Sequence, residues 1–433
     1  MTLSIGIDGY NLALPGGTGV ATYGLTLAHA LRAMGHETVG VFGLDVRGPV
    51  DGREVRFFDT LQRPPTDRRK GLASAARWTR EAIRPFAPIA LDPVPLTDRV
   101  DKAAFADSFP RFDRLVSRAR LFGIAHRHYA RTGRFVTVRM ADPPQIMHWT
   151  YPVPITLEGA RNVYTIHDIV PLKFPHATLD HKAHYQALLR DCIARADHIC
   201  TVSDASRRDL LDWFPLDPAR VTNTYQALPP AFRTPAADPA EDAAIVEGSF
   251  GLRHRGYFLF YGAVEPKKNV QRLIEAYLST RSATPLLIVG RPWGHESARQ
   301  VPNGSIPGVQ ASPAVMQIDY LPQRMLLRLI RGARAVTFPS LYEGFGLPVL
   351  EAMALGTPVL SSTAGAIPEV TGEAALLVDP HDIGAIADGL KRIDGDEVLR
   401  TDLASRGTMR AQIFSDVAYR ARLAGLYASV MGS

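Results

Sequence analysis

The stretch "FPSLYEGFGLPVLEAMALGTPVL", residues 338–360, joins an apolar run to a Gly-x-Gly turn and then to a helical pattern. Pro348 suits the first helical position, where a missing N–H costs nothing, and Gly356 suits the stop, which predicts a short helix over 348–355. A buried strand that turns through glycine into a helix is the repeating unit of a parallel sheet. Gly344 and Gly346 allow a ligand close to the backbone, and the N–H groups of Gly346 and Leu347 stand at a helix N-terminus, which attracts anions. Glu343 and Glu351 flank that seat. Carboxylates only accept hydrogen bonds, so their partners are hydroxyls and not the phosphates they repel. A diphosphate with a hydroxyl-rich ring at each end fits, ribose toward one acid and hexose toward the other. The plainer alternative, Glu351 complementing the helix dipole and Glu343 solvated, is weakened because a capping box would need its acid at Leu350.

The same strand-then-helix pattern recurs in two sets along the 433 residues. The first contains "LSIGID" (3–8), "TVGVFG" (38–43), "VYTIHD" (163–168) and "HICTVS" (198–203). The second contains "YFLFYG" (257–262), "PLLIVG" (285–290), "AVTFPS" (335–340) and "TPVLSS" (357–362). A Pro- and Ala-rich stretch, 228–244, reads as the linker. The fold class is therefore α/β, with two facing doubly wound Rossmann-like domains and a deep cleft between them. The expected boundaries are 1–232 and 245–410, with a C-terminal helix in 411–433 packing back on the first domain. Ligands of such sheets bind beyond the carboxyl ends of the strands.

The other unusual residues fall at those ends. In "EPKKNVQRLIEAY" Lys267 and Lys268 precede Asn269, a good N-cap, and apolar residues at 270, 273, 274 and 277 give the helix its buried face. Two cations at a helix N-terminus call for an anion between them. "LPGGTGVATYGLTLAHAL" places Gly16 and Gly17 in a turn opening an amphipathic helix, a second anion seat. As a dinucleotide fingerprint it is incomplete, with Thr22 at the third glycine position and Asp45 only a loose match to the ribose acid. His167 and Arg291 end or follow strands, and His148, in "IMHWTYP", is a weaker candidate for a ligand contact. Asp394-Gly395-Asp396 resembles an Asp-x-Asp metal motif but reads as a chance polar loop, so no metal site is expected. Cys192 and Cys200 lie among apolar residues, as core side chains do.

The net charge of +6 is local: residues 111–140 hold eight arginines against Asp113 alone. Phe109, Phe112, Leu115, Val116, Ala119 and Phe122 fall at helical spacing, with Arg111, Arg114 and Arg118 on another face. That predicts a basic amphipathic helix leaning on an anionic membrane and guiding a lipid-diphosphate acceptor. The start, "MTLSIGIDGYNL", has no signal-peptide pattern, and no apolar run approaches a membrane span, so a cytoplasmic protein is expected, peripheral at the inner face of the membrane.

Most of the chain resembles one family. Through "GGTGVATYGLTLAHAL", "TIHDIVPLKFP", "TVSDASRRDLL", "FLFYGAVEPKKNVQRLIEAY" and the opening stretch it is similar to the retaining GT-B glycosyltransferases of the large group that includes bacterial mannosyltransferases (family 4). Glu343 and Glu351 match that family's Glu-x7-Glu signature. The resemblance implies that Glu351 binds ribose, that Glu343, Gly344, Phe345, Gly346 and Leu347 line the hexose and phosphate, and that Lys268 meets the diphosphate. Gly16 and Gly17 would approach from the opposite domain, and His167 would touch the hexose. Ala263 stands where many members have arginine, which leaves Lys267 or Arg291 as second cation, and "TYQAL" replaces the usual Asn-Gly after "VTN". The implied activity is metal-independent, retaining transfer of a hexose, with GDP-mannose as expected donor, to a growing or lipid-linked glycan, without cofactor or nucleic-acid partner. A sugar-nucleotide epimerase and a non-catalytic membrane scaffold are the alternatives.

Overall fold

The chain's computed structural model describes residues 2–14, 19–62, 87–97, 99–105, 109–177, 181–233, 238–291 and 314–432. Its strands are β1 Ser4–Asp8, β2 Glu37–Phe42, β3 Ile89–Ala90, β4 Asp92–Val94, β5 Arg114–Ser117, β6 Val136–Arg139, β7 Ile146–Trp149, β8 Ile155–Leu157, β9 Arg161–Ile166, β10 His198–Thr201 and β11 Val221–Asn223, followed by β12 Phe258–Tyr261, β13 Leu286–Val289, β14 Val315–Ile318, β15 Ala335–Phe338, β16 Val359–Ser362 and β17 Leu376–Val378. The first eight-stranded sheet runs β11-β10-β9-β7-β1-β2-β5-β4, and the six-stranded second sheet runs β14-β13-β12-β15-β16-β17. All of its pairings are parallel in the second sheet, and in the first only β4 against β5 is antiparallel. Both faces of such sheets are covered, which is why β12, β13, β15 and β16 are buried at every residue. In each sheet the strand order reverses beside the first strand of the set, β1 or β12, so the carboxyl ends of the two sheets offer a crevice there. A small third sheet, β3-β6-β8, flanks the first.

Helix Asp416–Gly432 lies against helix Gly19–Ala33 of the first sheet's layer, with Tyr419, Leu423, Leu426, Tyr427 and Val430 buried. Its entry is fixed by an ion pair at 2.9 Å between Arg233, at the end of the first half, and Asp416. No helix among the described residues is long and apolar enough to cross a membrane.

The basic amphipathic helix expected over 109–122 does not form. Phe109 and Phe112 enter an aromatic cluster with Phe42, at centroid separations of 5.4 and 5.8 Å. Leu115 and Val116 then point to opposite faces of β5, which pairs with β2, and Phe122 belongs to helix Leu121–Thr132. Helical spacing arose here from three unrelated segments, and Arg120, at φ +61, breaks any continuous helix. Of the three arginines, Arg114 is held by Glu37 at 2.7 Å and Asp142 at 2.9 Å, and Arg118 by Asp92 at 3.2 Å, while Arg111 is exposed. Cys192 and Cys200 are buried free thiols.

Candidate active site

The two acids of the 338–360 stretch face inward, Glu343 6% exposed and Glu351 8%. Glu343 lies between β15 and helix Leu347–Ala354, and Gly365 packs behind it at φ +61, where an added Cβ would stand 2.5 Å from the Glu343 carbonyl oxygen. The helix begins one residue before the sequence pattern suggested, because Gly346 at φ +98 makes the turn and Pro348 becomes its second residue. The N–H groups of Gly346 and Leu347 precede the intrahelical bonding and remain at the helix mouth.

Lys268 Nζ stands 2.7 Å from Glu343 Oε1 and 5.0 Å from the Phe338 ring centroid. Lys267 Nζ lies 3.6 Å from Glu265 Oε1. Burial opposes the Lys267 ammonium, but the Asp168, Glu265 and Glu343 carboxylates outweigh it and hold its pKa above the usual lysine value. Burial likewise opposes the Glu343 carboxylate, and Lys268 and Lys267 reverse that, leaving its pKa below the ordinary one. Lys267 and Glu343 are therefore both charged near neutrality, each favoured by neighbours of the opposite sign. Asn269 does not cap the helix that follows. At φ +62 it turns its amide to Pro339 O at 3.0 Å and Pro380 O at 2.7 Å, tying the lysine loop to the loops after β15 and β17.

Glu351 has a different environment. Burial pushes its pKa up to about 7, against the lowering effect of the Tyr261 hydroxyl 3.1 Å away. Tyr261 also donates to Pro348 O at 2.7 Å, so it pins the acid to its own helix start. Tyr261 ends β12 and lies in the stretch "YFLFYG", whose apolar run hid its polar use.

Across the crevice, His167 follows β9. Its Nε2–H donates to Thr150 O at 2.9 Å, and its ring meets that of Tyr23 edge-on at 4.9 Å. Burial lowers its pKa despite the opposing Thr150 bond and Asp168, so the ring is neutral and Nδ1 is an acceptor. The halves touch here with no spare room: a Cβ on Gly344 would lie 2.4 Å from His167 O and 3.0 Å from Asp168 Cβ. The Ser206 hydroxyl donates to His167 O at 2.7 Å and lies 3.2 Å from Gly344 O. Beside it Glu369, of the "IPEV" segment, accepts from the Asp204 and Ala205 amides at 2.6 and 2.9 Å, capping helix Asp204–Trp213 from the opposite half. Tyr342 donates to Asp209, which also holds Lys173 at 2.6 Å. An acid at the start of a helix just after a strand was the available signal for Glu369.

The remaining sequence candidates stand apart. The Phe345 side chain packs on Tyr225 and Phe414, at 6.4 and 5.5 Å, and takes no place at the acid pair. Arg291 is exposed at the end of β13 with its guanidinium 5.5 Å from the Tyr320 ring. Gly16 and Gly17 lie outside the described residues. Asp45 is paired with Arg47. Asp394 and Asp396 are not in a loop together: Asp394 ends a helix and accepts from Ser282, Thr284 and Arg334, and Asp396 caps the next helix. Asn223 bonds Asp204 at 3.0 Å, and Tyr225, in place of glycine, takes a left-handed φ of +57.

Two facing doubly wound sheets with a buried Lys–Glu pair at their meeting edge define a glycosyltransferase of GT-B architecture, and the chain belongs to the family described as glycosyl transferases group 1, whose model matches residues 251–410. It is 34% identical over 270 residues to the O-antigen chain mannosyltransferase B of Escherichia coli, covering 61% of this chain and 68% of that one. It is 26% identical over 387 residues to a D-inositol 3-phosphate glycosyltransferase of Corynebacterium efficiens, covering 87% of this chain and 86% of that one. Among solved structures, Anabaena Alr3699/HepE in complex with UDP and glucose superposes with a TM-score of 0.61 at 14% identity, covering 99% of this chain and 100% of that one. WaaG, a glycosyltransferase involved in lipopolysaccharide biosynthesis, gives 0.60 at 15%, covering 96% and 98%.

Proposed function

We propose that this glycosyltransferase moves a hexose, mannose first among candidates, from a nucleoside diphosphate to a growing glycan with retention of the anomeric configuration and without a metal ion. The observation that carries the reading is the Lys268–Glu343 pair, both side chains nearly buried at the edge where the halves meet. An arriving diphosphate displaces Glu343 from Lys268, which frees the carboxylate for hexose hydroxyls and gives the ammonium a new anion. Lys267 adds a second cation, the Gly346 and Leu347 amides add donors, and Glu351 receives the ribose. In the transfer the acceptor hydroxyl oxygen bonds to the anomeric carbon on the face from which the diphosphate oxygen departs. The hydroxyl proton passes to that leaving oxygen. Such a step needs charge stabilisation at the diphosphate more than a strong base, and Lys268 and Lys267 supply it. Neutral His167 accepts a hexose hydroxyl through Nδ1. The mannosyltransferase name of the Escherichia coli relative supports the choice of sugar.

The test is incubation with GDP-mannose or UDP-hexoses, a mannan oligosaccharide acceptor and EDTA, with the product anomer read by NMR. Retention in EDTA is expected. An inverted product or a metal requirement overturns those parts of the proposal. Isomerised sugar from donor alone would indicate an epimerase, and binding without transfer or hydrolysis a scaffold. A lipid-linked acceptor and an anionic membrane surface are proposals of the same kind, tested by comparing lipid-linked with free acceptors and by vesicle co-sedimentation of an Arg111→Glu variant.

A further inference from the structure

Helix Asp416–Gly432, 17 residues from the far end of the chain, puts a tyrosine hydroxyl into the floor of the first sheet. Tyr427 Oη lies 2.7 Å from His148 Nδ1, His148 Nε2 lies 2.7 Å from Thr165 Oγ1, and Thr165 Oγ1 lies 2.9 Å from Tyr23 Oη. Trp149 and the four members of this chain are buried, at 1% exposure or less. The chain ends beside the site, since the Tyr23 ring meets the His167 ring edge-on at 4.9 Å.

The geometry is repeated on both strands. Thr165 on β9 precedes His167, just past that strand, by two residues, and His148 on β7 precedes Thr150, just past that strand, by two, so each member stands two residues behind a partner in the His167–Thr150 bond. Burial holds the His148 pKa down at about 3, so its ring is neutral, with one donor and one acceptor. The tautomer sets the polarity of the series: with Nε2–H donating to Thr165, Tyr427 donates to Nδ1, and with Nδ1–H donating to Tyr427, Thr165 donates to Nε2. Buried polar groups carry a desolvation cost that an apolar core would avoid, whereas a fully satisfied network fixes one arrangement.

We propose that Tyr427 is a positioning residue for the transfer: through His148, Thr165 and Tyr23 it sets the orientation of the His167 imidazole. This rests on the reading of His167 as a sugar contact. The second half carries Lys268, Glu343 and Glu351, so the diphosphate and ribose contacts of the donor lie outside this chain of bonds, which reaches the donor only through the hexose contact of His167.

The experiment is a double-mutant cycle between Tyr427→Phe and His167→Ala, with kcat and donor KM measured separately. Tyr427→Phe is expected to lower kcat roughly tenfold, as small misplacements at a reacting centre do, with donor KM moving far less than kcat because the diphosphate and ribose contacts are untouched. Thr165→Val breaks the same chain elsewhere and gives the same loss should Tyr427→Phe fold poorly. Tyr164→Phe removes an equally buried hydroxyl, bonded to Ile155 O at 2.6 Å outside the chain, and lowers the melting temperature while kcat stays. In the His167→Ala background Tyr427→Phe adds nothing further. An equal added loss in that background, or unchanged kcat in both chain variants, overturns the proposal while the His167 reading stands. A harmless His167→Ala overturns that reading, and this inference with it.

Discussion

The two edges of the crevice solve opposite problems. The edge of the second sheet is charged and self-compensated: Lys268 holds Glu343, and Lys267 stands among Glu265, Asp168 and Glu343. The edge of the first sheet is neutral and held by backbone, with His167 on Thr150 O and Ser206 on His167 O. Charges already paired can change partners when a diphosphate arrives, so they need not be stripped of water at that moment. Neutral groups fixed by carbonyls cannot change partners, and their value is a set direction. The edge of the second sheet is suited to exchange of partners and the edge of the first sheet to a fixed orientation.

The largest effect expected from this contrast is at the exchanging pair. Lys268→Met removes the cation and leaves Glu343 buried, and kcat should fall by about 100-fold to 1000-fold, as for loss of a transition-state donor. A loss under tenfold in a folded protein would break the distinction. Next comes the contact between the edges. Gly344→Ala sets a methyl against His167 O and must part the halves, and kcat should fall by about 100-fold while the melting temperature shifts little. A crystal structure of the variant with unmoved edges and full activity would contradict it.

Smaller effects sharpen the picture. Glu369→Gln keeps the shape but removes the charge that caps helix Asp204–Trp213 across the halves, costing about 1 kcal/mol by thermal denaturation and lowering kcat a few-fold. Glu351 tests the acid of the 338–360 pair that has no cation beside it among the described residues. Its folded pKa of about 7 lies above the ordinary 4.5, so its contribution is fully present below pH ~4.5 and is lost as pH rises through about 7. Asp8, raised by burial to about 6, acts in the same direction. Glu351→Gln should therefore flatten, without abolishing, the fall in melting temperature between pH 5 and pH 8. An unchanged slope would place the acid in a wetter setting than its 8% exposure implies.

The 338–360 stretch was legible because its meaning is local: glycine and proline fix the turn, and both acids sit within one strand-to-helix unit. The 109–122 stretch misled because periodicity cannot tell one helix from a loop, a strand and a helix start whose apolar residues serve the same core. Strands β6 to β8 were missed for a different reason: they follow one another with no helix between them, so the strand-then-helix pattern does not mark them. Lys268 could be named from its loop, but its pairing with Glu343, 75 residues away, could not. Asn269 shows the same limit, since a good capping residue was drawn away by two carbonyls from distant loops. His167 was visible as a strand end, whereas Thr150 and Tyr23 act through contacts that no spacing encodes.

Helix Asp416–Gly432 completes the core of a half whose other strands end with β11 at Asn223. During synthesis the first sheet emerges well before the segment that closes it, and the whole second sheet must be made in between. Until helix Asp416–Gly432 is made, the flank of helix Gly19–Ala33 that it covers stays open to water, so the first half cannot finish its core on its own.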